Sequence, residues 1–210
     1  MSARRGRFIT LEGVEGAGKS TAMAFVRDWF VDHGREVVCT REPGGTPLAE
    51  ELRGLLKAPR EEPMAPATEL LLMFAARAQH VEQVIRPALA AGKVVICDRF
   101  TDSTRAYQGA GRGLSMTTID RLAAVAHAGC DPELTFWLDV PVALGLERAA
   151  RREAADRFEQ ETLAFFERVR GGFQALAERE TARFRRVDAT RALNEVRNQI
   201  EIELEVAHGD

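Results

Sequence analysis

The sequence predicts an α/β fold, an open parallel sheet of roughly five strands with helices packed on both faces in three layers. Three observations carry the prediction. Short β-prone apolar runs alternate along the chain with stretches of helical period. Two runs, Val94–Cys97 and Leu134–Leu138, are continuous and of strand length, which suits strands buried on both faces of a parallel sheet. A glycine-rich loop joins the first strand to the first helix.

Phe8–Leu11 reads as the first strand. Lys19–Val31 reads as a helix because Ala22, Val26 and Phe30 share one face, and Gly34 ends it. Glu36–Thr40 follows as a strand, Pro43-Gly44-Gly45 as a loop, and Leu48–Leu56 as a helix. Pro59, Pro63 and Pro66 mark a connector. A long helical pattern then runs from Thr68, its expected N-cap, to about Ala91, kinked at Pro87. Beyond Cys97, helices are expected over Thr117–Ala128, Val142–Arg152 and Gln160–Glu178. Phe184–Val187 is the last expected strand and Leu193–Val206 the last helix. Ligands of such sheets bind beyond the carboxyl ends of the strands. The chemistry is therefore to be sought after Leu11, Thr40, Cys97 and Leu138.

At 210 residues the chain is expected to form a single unit, 1–210, with a core of its own. A hydrophobic fraction of 45% and a charged fraction of 29% exclude disordered and fibrous classes. The net charge of −3 argues against a nucleic-acid partner, so any phosphate site must be local. Cys39, Cys97 and Cys130 are odd in number and form no CxxC, which suggests neither zinc nor a disulfide framework. Cys39 and Cys97 end apolar runs and are expected to be buried, in a reducing cytoplasm. The run after Arg4, Arg5 and Arg7 is too short for a leader, and no stretch approaches a membrane span.

The loop Gly13-Val14-Glu15-Gly16-Ala17-Gly18-Lys19-Ser20-Thr21 satisfies G-x-x-x-x-G-K-[ST] between an expected strand and helix, the context that gives this pattern meaning. Its glycines let consecutive N–H groups converge on phosphate oxygens, and the helix that follows adds the positive end of its dipole. Lys19 brings a charge to the β- and γ-phosphates, and Ser20 a hydroxyl for Mg²⁺. The motif alone says "nucleoside triphosphate".

A guanine-reading Asn-Lys-x-Asp motif is missing, since the only asparagines are Asn194 and Asn198 and neither precedes lysine. Arg41 and Arg99 fall just after strands, and Arg148, Arg151, Arg152 and Arg157 gather past the fourth. Guanidinium groups suit a transferring phosphoryl group, and this many favour a kinase whose acceptor is itself a phosphate. Two alternatives stay open: a kinase of another small acceptor, and an ATPase switch regulated by a partner. Phe74 and Arg77 lie three apart on one helix face. Together they could stack a base and bond its carbonyl, though Phe74 alone also reads as core. Ser103, Thr104 and Gln108 could read a base edge and Tyr107 a sugar; the bland alternative is a surface helix.

Along nearly its whole length the chain resembles bacterial thymidylate kinase (dTMP kinase). The resemblance rests on Leu11–Thr21, on Thr40-Arg41-Glu42-Pro43-Gly44-Gly45-Thr46, on Phe74-Ala75-Ala76-Arg77, on Asp98-Arg99, and on Ser103–Gly109 with its Ala-Tyr-Gln-Gly run. It implies the P-loop NTPase fold of nucleoside monophosphate kinases, ATP and Mg²⁺ as cofactors, dTMP as substrate, and a homodimer. It implies that Glu15 faces the acceptor's 3′-hydroxyl and that Glu42 helps hold the metal site or the sugar. Arg41, Arg53 and Arg99 would grip the monophosphate, Arg99 also touching the transferring group. Phe74 would stack on thymine, Arg77 would bond its carbonyl, and Thr104 and Gln108 would complete the base pocket. Asp98 would lie near Mg²⁺ through water. Adenine would sit between the lid, about 148–158, and Asp188-Ala189-Thr190. With no arginine at 15–17 and four in the lid, the chain resembles the lid-arginine variant, with Arg152 as the mobile catalytic cation and Arg148 near the donor nucleotide. Phe100 stands where relatives carry a polar residue.

Overall fold

The computed structural model describes residues 5–151, 157–158 and 161–208. Five strands, β1 Arg7–Glu12, β2 Val37–Arg41, β3 Val94–Asp98, β4 Leu134–Asp139 and β5 Phe184–Asp188, form one parallel sheet in the order β2-β3-β1-β4-β5. Asp98 is paired in register with both Leu11 and Arg41, so the carboxyl ends of the three strands meet at one point.

The strands sort their side chains by parity. Ile9, Leu11, Val94 and Ile96 join the larger core with Ala22, Val26 and Phe30 of α1 (Lys19–Asp32). Phe8, Val95 and Cys97 point the other way, against Val81, Ile85, Phe100 and Cys130. Helix α2 (Pro47–Lys57) starts on Thr46, whose side chain accepts from the Ala49 N–H. The remaining helices are α3 (Pro66–His80), α4 (Arg86–Ala90), α5 (Thr101–Thr104), α6 (Met116–His127), α7 (Val142–Ala150), α8 (Leu163–Arg179) and α9 (Leu193–His208).

Three expectations change. The third helix begins at Pro66, with Ala65 as its cap, so Thr68 lies inside the first turn; a proline at N1 needs no N–H partner. The expected bend at Pro87 is a π-turn at Val81–Ile85 that ends where Pro87 opens α4. Cys39 is exposed, because β2 is the edge strand of the sheet, while Cys97 and Cys130 are buried. Gln160 lies outside the described residues, and α8 starts at Leu163 on a Thr162 cap.

The segment after β3 is a further finding. Helix α5 and the π-turn Arg105–Gly111 bury Thr101, Asp102, Ser103, Thr104, Tyr107 and Gln108 rather than lying on the surface. Asp102 takes Arg183 on both oxygens at 2.7 and 2.9 Å. Arg183 also donates to the Thr135 hydroxyl, itself 2.8 Å from that of Thr10 in the neighbouring strand. A polar network ties α5 to β4, to β1 and to the residue that leads into β5.

Candidate active site

The ends of β1, β2 and β3 open into one cavity of about 400 Å³. Its floor is the phosphate loop from Glu15 to Ser20. Gly16, with φ 67°, lies so close to α7 that a Cβ there would stand 1.9 Å from the Gly145 carbonyl oxygen. The approach is mutual, since a Cβ on Gly145 would fall 2.5 Å from the Glu15 carbonyl oxygen. Lys19 is buried at the head of α1 and donates to the carbonyls of Gly13 at 3.3 Å and Val14 at 3.1 Å. Burial, and then Arg99, lower its pKa. Gly13, Val14 and Thr21 shape the loop without lining the cavity.

Arg99 stands over this floor. Its backbone has φ 69°, costly for a residue with a Cβ. Glu12 over-determines it. The carboxyl group of Glu12 is wholly buried and accepts the Phe100 N–H at 2.8 Å and the Ser103 hydroxyl at 2.5 Å. The Arg99 guanidinium then donates to Ser103 Oγ at 3.1 Å, the Gly13 carbonyl at 2.9 Å and both oxygens of Glu15 at 2.8 and 2.9 Å. Tyr107 donates its hydroxyl to Glu15 at 3.0 Å, with its ring 4.8 Å from the guanidinium carbon. Burial would raise the Glu15 carboxyl, but Arg99 and Lys19 overcome it and bring it to about 2.

Arg41 and Arg53 line the cavity from the β2 side; Arg41 pairs with Glu50 at 2.9 Å and Arg53 donates to the Pro43 carbonyl at 2.8 Å. Glu42 also lines it, yet its oxygens are taken by Arg77 Nε at 2.6 Å and His80 Nδ1 at 2.9 Å. Both contacts hold Arg77 and Glu42 in place on the cavity wall. Arg77 retains a buried Nη1 with no partner, the kind of orphaned donor a ligand oxygen satisfies. Thr104 and Gln108 complete this wall.

Phe74 does not line the cavity. It packs with Leu70, Ile119 and Ala123, and its ring lies 4.8 Å from the Arg77 guanidinium. Phe100 does line the cavity, and Arg77 lies 5.1 Å from its ring. Arg148 donates to the Ala189 carbonyl at 3.0 Å, joining α7 to the loop after β5. The Asp188 carboxylate is spent on Thr190 and Arg191. Arg152 lies outside the described residues.

Asp98 keeps a buried Oδ1 without a partner, and Ser20 lines the same cavity. No cluster of three or more metal-ligating side chains exists among the described residues. One carboxylate and one hydroxyl, with substrate phosphates and water as the other ligands, fit Mg²⁺. Lys57, Met73, Ala149 and Phe158 also line the cavity without having been singled out in the sequence. Glu12 and Glu69 act behind it. Glu69 carried one signal: a carboxylate on the apolar face of an expected helix, beside Leu70 and eight residues before Arg77.

The family described as thymidylate kinase matches residues 11–200. The chain belongs to that family. It is 56% identical over 200 residues to a thymidylate kinase of Teredinibacter turnerae, covering 95% of this chain and 98% of that protein. It is 58% identical over 198 residues to a thymidylate kinase of Alkalilimnicola ehrlichii, covering 94% and 91%. The crystal structure of the thymidylate kinase of Ehrlichia chaffeensis superposes with a TM-score of 0.77 at 33% identity, over 95% of this chain and 99% of that one. The P-loop nucleoside monophosphate kinase fold expected from the sequence is the fold of this family member.

Proposed function

We propose that this chain is a dTMP kinase, moving the γ-phosphoryl group of ATP onto the phosphate of dTMP to give dTDP. One observation carries the reading: a phosphate loop with Lys19 and a second cationic group, Arg99, Arg41 and Arg53, share one cavity, which suits two phosphate chains meeting end to end.

The loop N–H groups and Lys19 hold the donor phosphates. Arg99 reaches the transferring group from its clamp on Gly13 and Glu15, a fixed charge that needs little rearrangement as the transition state forms. Ser20 and, through water, Asp98 would hold Mg²⁺, which when bound neutralises charge on the phosphate oxygens. Arg41 and Arg53 take the acceptor phosphate. The acceptor is already ionised at neutral pH, its second pKa being about 6, so no strong base is needed. Glu15, held ionised and beside Tyr107, is set to accept from the sugar hydroxyl. Arg77 donates to the base, with Phe74 and Phe100 holding its guanidinium between their rings. Arg152 remains the proposed lid cation and Arg148 the donor-side arginine.

Among the described residues no helix is long and apolar enough to cross a membrane, and three free thiols suit a reducing cytoplasm. Exposed Leu48 and Leu55 on α2, Leu71 on α3 and Val125 on α6 support a homodimer through those helices, which pack side by side. The activity is tested by mixing the protein with MgATP and each nucleoside monophosphate and measuring ADP. Strong stimulation by dTMP is expected; equal ADP with and without it overturns the reading.

A further inference from the structure

Behind Gln108 lies a carboxylate that does not itself line the cavity. Glu69 on α3 is buried, and its Oε1 accepts from Gln108 Nε2 at 2.9 Å and from Arg112 Nε at 2.6 Å. Its Oε2 lies 2.6 Å from Arg157 Nη2. Burial would raise this carboxyl, but the hydrogen bonds from Arg112 and Gln108 outweigh it and hold it ionised. An ionised carboxylate only accepts, so the end of the Gln108 amide that meets it must be the NH₂. Two arginines already neutralise Glu69, so Gln108 is the partner being oriented. Gln108 lines the cavity and Glu69 does not. The amide therefore turns its NH₂ towards Glu69 and leaves Oε1 for a ligand.

We propose that Glu69 is a positioning residue for base selection: by locking the Gln108 amide it makes the cavity that Gln108 shares with Arg77 present an acceptor, Gln108 Oε1, together with a donor, Arg77 Nη1. That pair matches a pyrimidine-dione edge, which offers N3–H next to a C4 carbonyl. It mismatches an aminopyrimidine edge, where N3 is an acceptor and C4 carries an amino group, on both atoms. Were Gln108 free to flip, its NH₂ would satisfy N3 of the wrong base and only Arg77 would object. The proposal rests on the dTMP kinase reading and names the device by which that site rejects cytosine.

The test is Glu69→Gln, which keeps the shape but gives Gln108 a partner that can donate as well as accept. Activity is compared on dTMP, dUMP and dCMP. The ratio of kcat/KM for dTMP over dCMP should fall about tenfold or more. The ratio for dTMP over dUMP should hold, because the methyl group is read elsewhere. A folded variant whose dTMP/dCMP ratio is unchanged, or whose two ratios fall together, overturns the proposal. Parent protein without activity on dTMP would instead overturn the functional reading. Should the variant not fold, the unsubstituted protein decides: the Gln108 side-chain NH₂ resonances should be protected from exchange before and after dTMP binds. Loss of that protection on binding would mean that the amide turns to donate to the base, and the proposal fails.

Discussion

Arg99 and Glu15 hold each other face to face above the phosphate loop, the Nη2 of Arg99 lying 2.8 and 2.9 Å from the two carboxylate oxygens. The pair spends no energy on ordering the guanidinium when phosphates arrive. Replacing Arg99 by alanine should lower kcat about 10²–10³-fold, and lysine should recover little, since a point charge cannot bridge Glu15, Ser103 and Gly13 together. Steady-state kinetics check this. A change confined to KM would remove Arg99 from the transition state.

Glu12 gives a pH signature of its own. Burial, then the nearby Asp102 charge, push its carboxyl from 4.5 to about 8. The folded protein thus binds a proton there that the unfolded chain releases, so stability from this group is complete below pH 4.5 and is lost as pH rises towards 8. Glu12→Gln should flatten the decline of the urea midpoint between about pH 5 and 8. Parallel slopes for parent and variant would refute it.

The backbone contact between Gly16 and Gly145 leaves no room for a methyl group. Gly145→Ala should cost about 1–3 kcal/mol by overpacking, seen as a melting temperature lower by several degrees. It should also weaken ATP more than dTMP, because the displaced atom is the Glu15 carbonyl in the phosphate loop. Calorimetric titration with each nucleotide separates the two, and equal losses would count against the assignment.

Leu71 is 56% exposed on α3, between two helices that expose Leu48, Leu55 and Val125. A glutamate there should convert a dimer to a monomer in sedimentation equilibrium while leaving the helical signal intact. A parent protein that already sediments as a monomer would end the homodimer proposal.

What could be read beforehand follows from how each element is stabilised. β3 and β4 were legible because strands buried on both faces must be continuously apolar, and α1 because one face alone meets the sheet. The phosphate loop was legible because its function needs particular residues at particular spacing. Residues 101–111 were not, because their interior positions are polar: Asp102 is satisfied by Arg183, Ser103 by Glu12, and Thr101 by His127 at 2.7 Å. Partners so distant in sequence leave no local period. The same holds for Glu42, to which the family resemblance assigns the metal site or the sugar: its contacts with Arg77 and His80, far along the chain, leave no local pattern. Phe74 was ambiguous from the start: it packs with Leu70, Ile119 and Ala123, and its ring also lies 4.8 Å from the Arg77 guanidinium.

The tie from Asp102 through Arg183 to Thr135 has a last consequence. Asp102 adjoins Ser103, so the rim that would meet the acceptor is riveted from below to β4 and to the residue that leads into β5. Warming should then dismantle both nucleotide berths in a single step, with no half-molten species that still clasps one of them.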